Sequence, residues 1–363
     1  MRKQVRYAVV GLGHIAQVAV LPAFANARRN AKLAALVSGD PVKRQAMSEK
    51  YGVAKTCSYE EYDALLKSGD IDAVYIALPN SHHADYAIRA ARAGIHVLCE
   101  KPMAVTQEEC DAMAGAARAA GVRLMVAYRL HFERANLEAV EVARSGRIGE
   151  PRHFNSTFTM KVTPDNIRVK SELGGGVLYD IGIYCINAAR SLFRDEPVEA
   201  RALTAGTLGD VEETVGALLR FSNERTATFV CSFGAADTSH YRLIGTKGDL
   251  VVEPAYEYAM PLRHRITVDG ETSERRYAKR DQFAPELLYF SDCVLQGHEP
   301  EPSAEEGIAD VRVIEALYRS AQTGRAVELP PFSRRERPSL EQEIRRPPID
   351  KPETVHVQAP SGN

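Results

Sequence analysis

Residues 5–16 read VRYAVVGLGHIA, and the fold turns on this stretch. Val5–Val10 is a short apolar run, the pattern of a parallel strand buried on both faces. Gly11-Leu12-Gly13-His14-Ile15-Ala16 follows at once, in the form G-x-G-x-x-A, and a helix is expected from Ile15. Between a strand and a helix each small residue has a task. Gly11 permits the tight turn, Gly13 lets the backbone approach a pyrophosphate, and Ala16 allows close packing of helix on strand. The first helical turn then offers backbone N–H groups to an anion. A dinucleotide-binding turn is the reading that uses all of these features.

The neighbouring sequence keeps the same rhythm. Residues 33–37, 73–78, 96–99 and 124–127 read as strands. Helical stretches start near Pro41 and cover 81–93 and 106–120, the last two stopped by Gly94 and Gly121. Alternation of this kind predicts an α/β, doubly wound parallel sheet over residues 1–128, a Rossmann dinucleotide-binding domain. Near 146–151 the pattern changes. Residues 152–160, 198–204, 214–221, 226–233, 241–245 and 250–253 alternate apolar and polar, as antiparallel strands with one solvated face do. A helix over 180–193 interrupts them, and helices over 285–296 and 303–323 close the region. The second of these opens on Ser303-Ala304-Glu305-Glu306, a capping-box pattern. Residues 129–329 are therefore expected to be a second, α+β domain with a large open, mostly antiparallel sheet. Residues 330–363 are rich in proline and charge and predict an extended or disordered tail, or an arm lying on a neighbouring subunit.

Composition narrows the function classes. Lys and Arg number 46 against 48 Asp and Glu, a net charge of −2, so no basic excess points to nucleic acid. No apolar run reaches the roughly 18 residues of a membrane span. Six cysteines fall in no pair typical of zinc or a disulfide framework, and they read as reduced thiols of a cytoplasmic protein. His82-His83 lacks a third ligand at suitable spacing, so no metal is expected.

The end of the second strand bears on the cofactor. Enzymes that use NAD usually place an acid there, on the ribose 2′-hydroxyl. Here the run is Val37-Ser38-Gly39-Asp40-Pro41-Val42-Lys43-Arg44. Ser38 and Gly39 suit a 2′-phosphate, and Lys43, with Arg44 second, supplies positive charge. Asp40, just before Pro41, reads as a helix cap turned away from the ribose. NADP is the expected cofactor.

Several separated segments carry a family likeness: VYIALPNSHHADYAIRA from residue 74, VLCEKPMAV from 97, LMVAYRLHF from 124, SELGGGVLYDIGIY from 171 and EEGIADVRVIEALY from 305. Together with the glycine turn they make the chain, over about residues 5–328, resemble the glucose–fructose oxidoreductase / inositol dehydrogenase / rhizopine-catabolism (Gfo/Idh/MocA) family. The resemblance is strongest to its glucose–fructose and aldose–aldose oxidoreductases. It implies a catalytic lysine at Lys101, an Asp180 that orients sugar hydroxyls, and Tyr184 as proton-transfer group where many relatives carry histidine. It also implies cofactor contacts from Gly11 to Ala16 (including Leu12, His14 and Ile15), and from Ser38, Gly39, Lys43, Leu78, Asn80, His83, Glu100, Lys101, Arg129, Arg168 and Tyr184. Tyr258 is a weaker carry-over. Without the resemblance, Tyr184 reads as an aromatic on a helix face and Asp180 as a helix cap, and Gly174–Gly176 reads as either a turn or a close approach to ligand.

The chemistry implied is oxidation of an aldose at C1 to an aldonolactone and reduction of a second sugar to an alditol on retained NADP(H). An ordinary NADP-dependent sugar dehydrogenase and a non-catalytic NADP-binding regulator are the alternatives. Aldose sugars are the expected partners, with a homodimer formed through a sheet face bearing Leu203, Val215, Ala217 and Phe229.

Overall fold

Six parallel strands form the first sheet: β1 (Val5–Val10), β2 (Ala31–Val37), β3 (Lys55–Cys57), β4 (Ala73–Ile76), β5 (His96–Glu100) and β6 (Leu124–Ala127). Their order is β3-β2-β1-β4-β5-β6, so the winding reverses between β1 and β4. A crevice beyond the carboxyl ends of such a pair is where ligands of open α/β sheets lie. Strands β1, β4, β5 and β6 are buried almost throughout, as a sheet covered on both faces requires. The structure is a computed structural model and describes residues 3–334 and 336–361.

The helices of this sheet are α1 (Leu21–Ala27), α2 (Pro41–Tyr51), α3 (Tyr62–Lys67), α4 (His83–Arg92) and α5 (Gln107–Ala120). A π-helical turn at Ala16–Val20 leads into α1. Asp40 caps α2, as read from the sequence, accepting from the amides of Val42 and Lys43. Thr106 and Glu109 form a reciprocal capping box at α5. β3 and α3 were not anticipated, because three and six residues are too few to show a periodicity.

The second sheet has nine strands: β7 (Pro151–Thr159), β8 (Glu199–Leu208), β9 (Val211–Arg220), β10 (Thr226–Ser232), β11 (Thr238–Gly245), β12 (Gly248–Val252), β13 (Leu262–Val268), β14 (Glu271–Tyr277) and β15 (Val327–Glu328). They lie in the order β14-β13-β12-β11-β7-β10-β9-β8-β15. Every pair is antiparallel except β7 with β10, which is parallel, so the sheet is mixed at its centre. Of the three unforeseen strands, β15 sits at one edge and β13 and β14 at the other, where β14 is exposed along ETSERR, a polar edge that resists strand addition. Two helices, α6 (Arg134–Arg144) and α7 (Ile183–Phe193), belong with this sheet; α6, capped by Glu133, was also unforeseen.

The register corrects the sheet face read from the sequence. Leu203 lies opposite Gly216, and Gly216 opposite Val230, so these share one face. Val215, Ala217 and Phe229 lie on the other. The exposures follow: Leu203 is 75% exposed, whereas Val215 and Phe229 are at 0% and 1%. The outward apolar residues are Leu203, Leu218 and Val230. A strand's faces alternate with period two, so a parity slip of one residue exchanges them.

The molecule divides into two compact units: Met1–Arg129 with Arg280–Ile308 and Arg345–Ala359, and Leu130–Lys279 with Ala309–Ile344 and Pro360–Asn363. This corrects the single boundary at residue 129. The helix α8 (Ala284–Gln296), assigned from sequence order to the second domain, packs in the first unit. Its Ser291 hydroxyl meets the Tyr7 hydroxyl of β1 at 2.8 Å, and its Leu288 carbonyl accepts from Asn30. The division falls within the last helix, α9 (Ala304–Thr323). The tail, expected as extended or disordered, is extended and is held by hydrogen bonds on its own chain.

Candidate functional site

In the first unit the glycine turn has a built geometry. Gly11 has φ +95°, and a Cβ there would meet the Ala77 carbonyl oxygen at 2.4 Å, so β1 and β4 close together at the point where the winding reverses. A Cβ on Gly13 would meet nothing within 4 Å. One glycine thus serves the protein and the other leaves room above the helix N-terminus. Leu12 and Ala16 are buried behind the turn, while Gly13, His14 and Ile15 are partly exposed.

The strand end after β2 is also shaped by its neighbours. A Cβ on Gly39 would press on the Tyr59 ring at 3.2 Å. Ser38 Oγ accepts from the Asp40 amide at 3.2 Å, and Arg44 donates to the Ser38 carbonyl. Arg44, the second choice for a 2′-phosphate cation, is thus engaged with backbone, while Lys43 contributes its amide to the Asp40 cap. Burial opposes ionisation of Asp40, but bonds from the Lys43 amide, His356 and the Val42 amide outweigh it and hold its carboxyl below the usual range.

His83, expected as a cofactor contact, also acts as a brace. Its ring is buried, with Nδ1 2.8 Å from the Pro102 carbonyl and Nε2 2.9 Å from the Leu78 carbonyl. Burial lowers its pKa. The ring ties the loop after β4, which carries Leu78 and Asn80, to the loop after β5, which carries Lys101. Ser81 Oγ, in the same turn as Asn80, is buried without a hydrogen-bond partner among the described residues.

Behind Lys101 lies a cluster of buried acids. Tyr75 donates to Glu100 Oε1 at 2.8 Å, and the Lys101 amide lies 3.3 Å from Glu100 Oε2. Burial raises the Glu100 pKa, against the attraction of Lys101. Glu286, on α8, is fully buried with neither carboxyl oxygen hydrogen-bonded among the described residues. Burial first, and repulsion from Glu100 second, push it well above the usual carboxylate range. Arg129 is buried here too and donates to Gln282 Oε1. Glu286 and Tyr75 escaped the sequence reading because only the fold brings Glu286 of α8 near Tyr75 of β4 and Glu100 of β5.

The second unit holds Asp180 and Tyr184. A π-helical turn at Leu178–Gly182 precedes α7, so Asp180 lies inside that turn and is not a cap. Arg168 Nε donates to Asp180 Oδ2 at 2.8 Å, which engages Arg168 with the acid. The preceding glycines serve packing: a Cβ on Gly175 would meet the carbonyls of Arg168 and Lys170 at 2.5 and 2.7 Å. Tyr184 is partly exposed, on a floor of Phe158 (ring centroids 5.7 Å) and Tyr256 (5.8 Å). Tyr256, missed from the sequence, is buried with its hydroxyl 2.7 Å from Ser156 Oγ. Beneath the same helix, Asn187 joins His131 to Asp310, and Asp310 pairs with the buried Arg190.

Among the described residues no helix is long and apolar enough to cross a membrane, and no group of three or more His, Cys, Asp or Glu is placed to hold a metal ion. All six cysteines are buried thiols outside any disulfide.

Residues 5–128 match an oxidoreductase family with an NAD-binding Rossmann fold, and residues 136–251 match the GFO/IDH/MocA C-terminal domain. The chain is 33% identical over 328 residues to a D-xylose 1-dehydrogenase (NADP(+)) of Haloferax volcanii, covering 89% of this chain and 99% of the relative. The crystal structure of an aldose-aldose oxidoreductase from Caulobacter crescentus, complexed with glycerol, matches with TM-score 0.86 and 38% identity, over 90% of this chain and 100% of that one. A 3-ketoreductase from Actinomadura kijaniata, in complex with NADP and TDP-benzene, matches at TM-score 0.81 and 28% identity, over 88% and 98%. With two matched segments that together span well over half its length, the chain belongs to the Gfo/Idh/MocA family of oxidoreductases.

Proposed function

We propose that the protein is an NADP-dependent sugar oxidoreductase that oxidises an aldose at C1 to an aldonolactone and reduces a second sugar to an alditol on retained cofactor. The observation that carries the NADP part is the strand end after β2. Its acid, Asp40, is turned into the helix cap, and Ser38 and Gly39 stand where an NAD enzyme presents a carboxylate to the ribose. NADP-dependent relatives and a structurally similar aldose-aldose oxidoreductase support the sugar part.

The open space over Gly13 and the amides of the following turn fit a pyrophosphate. NADP supplies the hydride chemistry; the chain supplies positioning and the proton route. Oxidising a cyclic aldose removes a hydride from C1 and a proton from its hydroxyl oxygen, leaving a lactone. We assign that proton to Tyr184 Oη, which returns it to the carbonyl oxygen of the sugar reduced next. Lys101 is assigned as the catalytic lysine of the same reaction. Asp180, held by Arg168, orients sugar hydroxyls. A homodimer through the outward Leu203, Leu218 and Val230 face completes the proposal.

The test is a panel of aldoses given to the protein as purified. Aldonate and alditol forming in equal amounts without added nucleotide supports the coupled reaction. Turnover that requires added NADP and accumulates NADPH moves the assignment to an ordinary sugar dehydrogenase, the reading favoured by the xylose dehydrogenase relatives. No sugar turnover under either condition overturns both.

A further inference from the structure

The tail carries an inference that goes beyond this reading while resting on its NADP assignment. Residues 345–359 belong to the first unit, and their contacts trace a path over its glycine-turn side. Arg346 Nε donates to the Asn26 carbonyl at 3.1 Å, and Asn26 Nδ2 donates to the Pro347 carbonyl at 3.0 Å. Lys50, in the last turn of α2, donates to the Glu353 carbonyl at 2.9 Å. Val355 is then paired twice with one buried side chain: its amide donates to Gln17 Oε1 at 2.8 Å, and Gln17 Nε2 donates to its carbonyl at 2.9 Å. Gln17 is only 1% exposed, in the helix that the glycine turn opens, and the same Nε2 also donates to the Leu12 carbonyl. A buried carboxamide in that position leaves polar atoms that need partners, and a strand-like backbone meets them on both sides. The next residue, His356, has φ +50° and brings Nδ1 to 3.1 Å from Asp40 Oδ2.

That last contact falls on the acid which decides between NAD and NADP. Asp40 Oδ1 is taken by the start of α2, and Oδ2 is shared with His356, which competes with a ribose diol for it. We propose that the C-terminal segment 345–359 is a strap over the nucleotide end of the crevice, and that His356 is a specificity-determining residue that occupies Asp40 and so favours NADP over NAD. Gln17 is the anchor that holds the strap, and the strap slows cofactor release.

Two variants test it on the full-length protein. His356→Ala frees Asp40 Oδ2. The ratio of NAD+ to NADP+ dissociation constants, measured by fluorescence titration, is expected to fall about threefold to fivefold, the scale of an exposed ion pair. Val355→Pro removes the N–H that Gln17 accepts. Release of NADPH in stopped flow is expected to speed about tenfold, the worth of one to two hydrogen bonds. Both constants staying within a factor of 1.5 of the unaltered protein overturns the proposal. Failure of the unaltered protein to bind NADP at all instead overturns the reading on which the proposal rests.

Discussion

Two glycine-led segments each open a helix through a π-helical turn, and they use their glycines in opposite ways. The segment at residues 11–16 places one glycine against the protein and leaves the next facing open space. The segment at residues 174–184 turns Gly175 and Gly176 wholly inward: a Cβ on Gly175 meets two backbone carbonyls, and one on Gly176 meets the Tyr318 hydroxyl at 2.4 Å. In the proposed function the first segment acts through bare backbone, whose N–H groups an anion can approach, and the second through the side chains of Asp180 and Tyr184. Glycine alone marks neither role; the space where its side chain would stand separates them.

Substitutions sharpen or break that contrast. The largest effect is expected for Gly175→Ala and Gly11→Ala. Each puts a methyl group within 2.5 Å of a backbone carbonyl oxygen. A loss of about 3 kcal/mol and a fall in Tm of roughly 5–10 °C are expected in thermal unfolding. Unchanged melting would dissolve the packing half of the comparison. Gly13→Ala comes next and should behave differently. Its stability changes by under about 1 kcal/mol, while NADP affinity falls tenfold or more because the pyrophosphate loses its approach. Intact affinity in that variant breaks the ligand half.

A smaller effect probes the acids behind Lys101. The raised pKa of Glu286 means that the folded protein holds this proton more tightly than the unfolded chain. Its penalty on stability is absent below the unfolded pKa near 4.3 and grows as pH rises through the folded value. Glu286→Gln should therefore stabilise the protein by about 1 kcal/mol at pH 8 and by less at pH 5. An equal gain at both pH values contradicts the assignment. The smallest stability effect, within about 0.5 kcal/mol, is expected for Leu203→Lys, which places a charge on an exposed strand position. The same variant should lower the dimer fraction in sedimentation if the outward sheet face is the interface.

The contrast also explains what the sequence disclosed. The glycine turn was legible because its chemistry is local: strand, glycine spacing and helix start are consecutive. Asp40 as a cap was legible for the same reason, with proline next to it. Asp180 and Tyr184 were visible only through the family likeness, because an acid and a phenol four residues apart carry no message until Arg168, Phe158 and Tyr256 surround them. The sheet was read as a sheet, yet its faces were exchanged: Val215 and Phe229 are interior although their alternation looks the same from either side. Helix α8 was given to the wrong unit because chain order does not say where a helix returns. The tail's proline and charge content announced extension, but nothing in PETVHV announces a partner in Gln17, which lies 338 positions away.

The central proposal is that Tyr184 and Lys101 both serve sugar oxidation. The most direct measurement is the rate of aldose oxidation in Tyr184→Phe and Lys101→Met beside the unaltered protein, with NADP binding checked in each. The proposal predicts losses of about 10³-fold in both variants with NADP still bound. A Tyr184→Phe protein that binds NADP and keeps a tenth or more of the rate contradicts it.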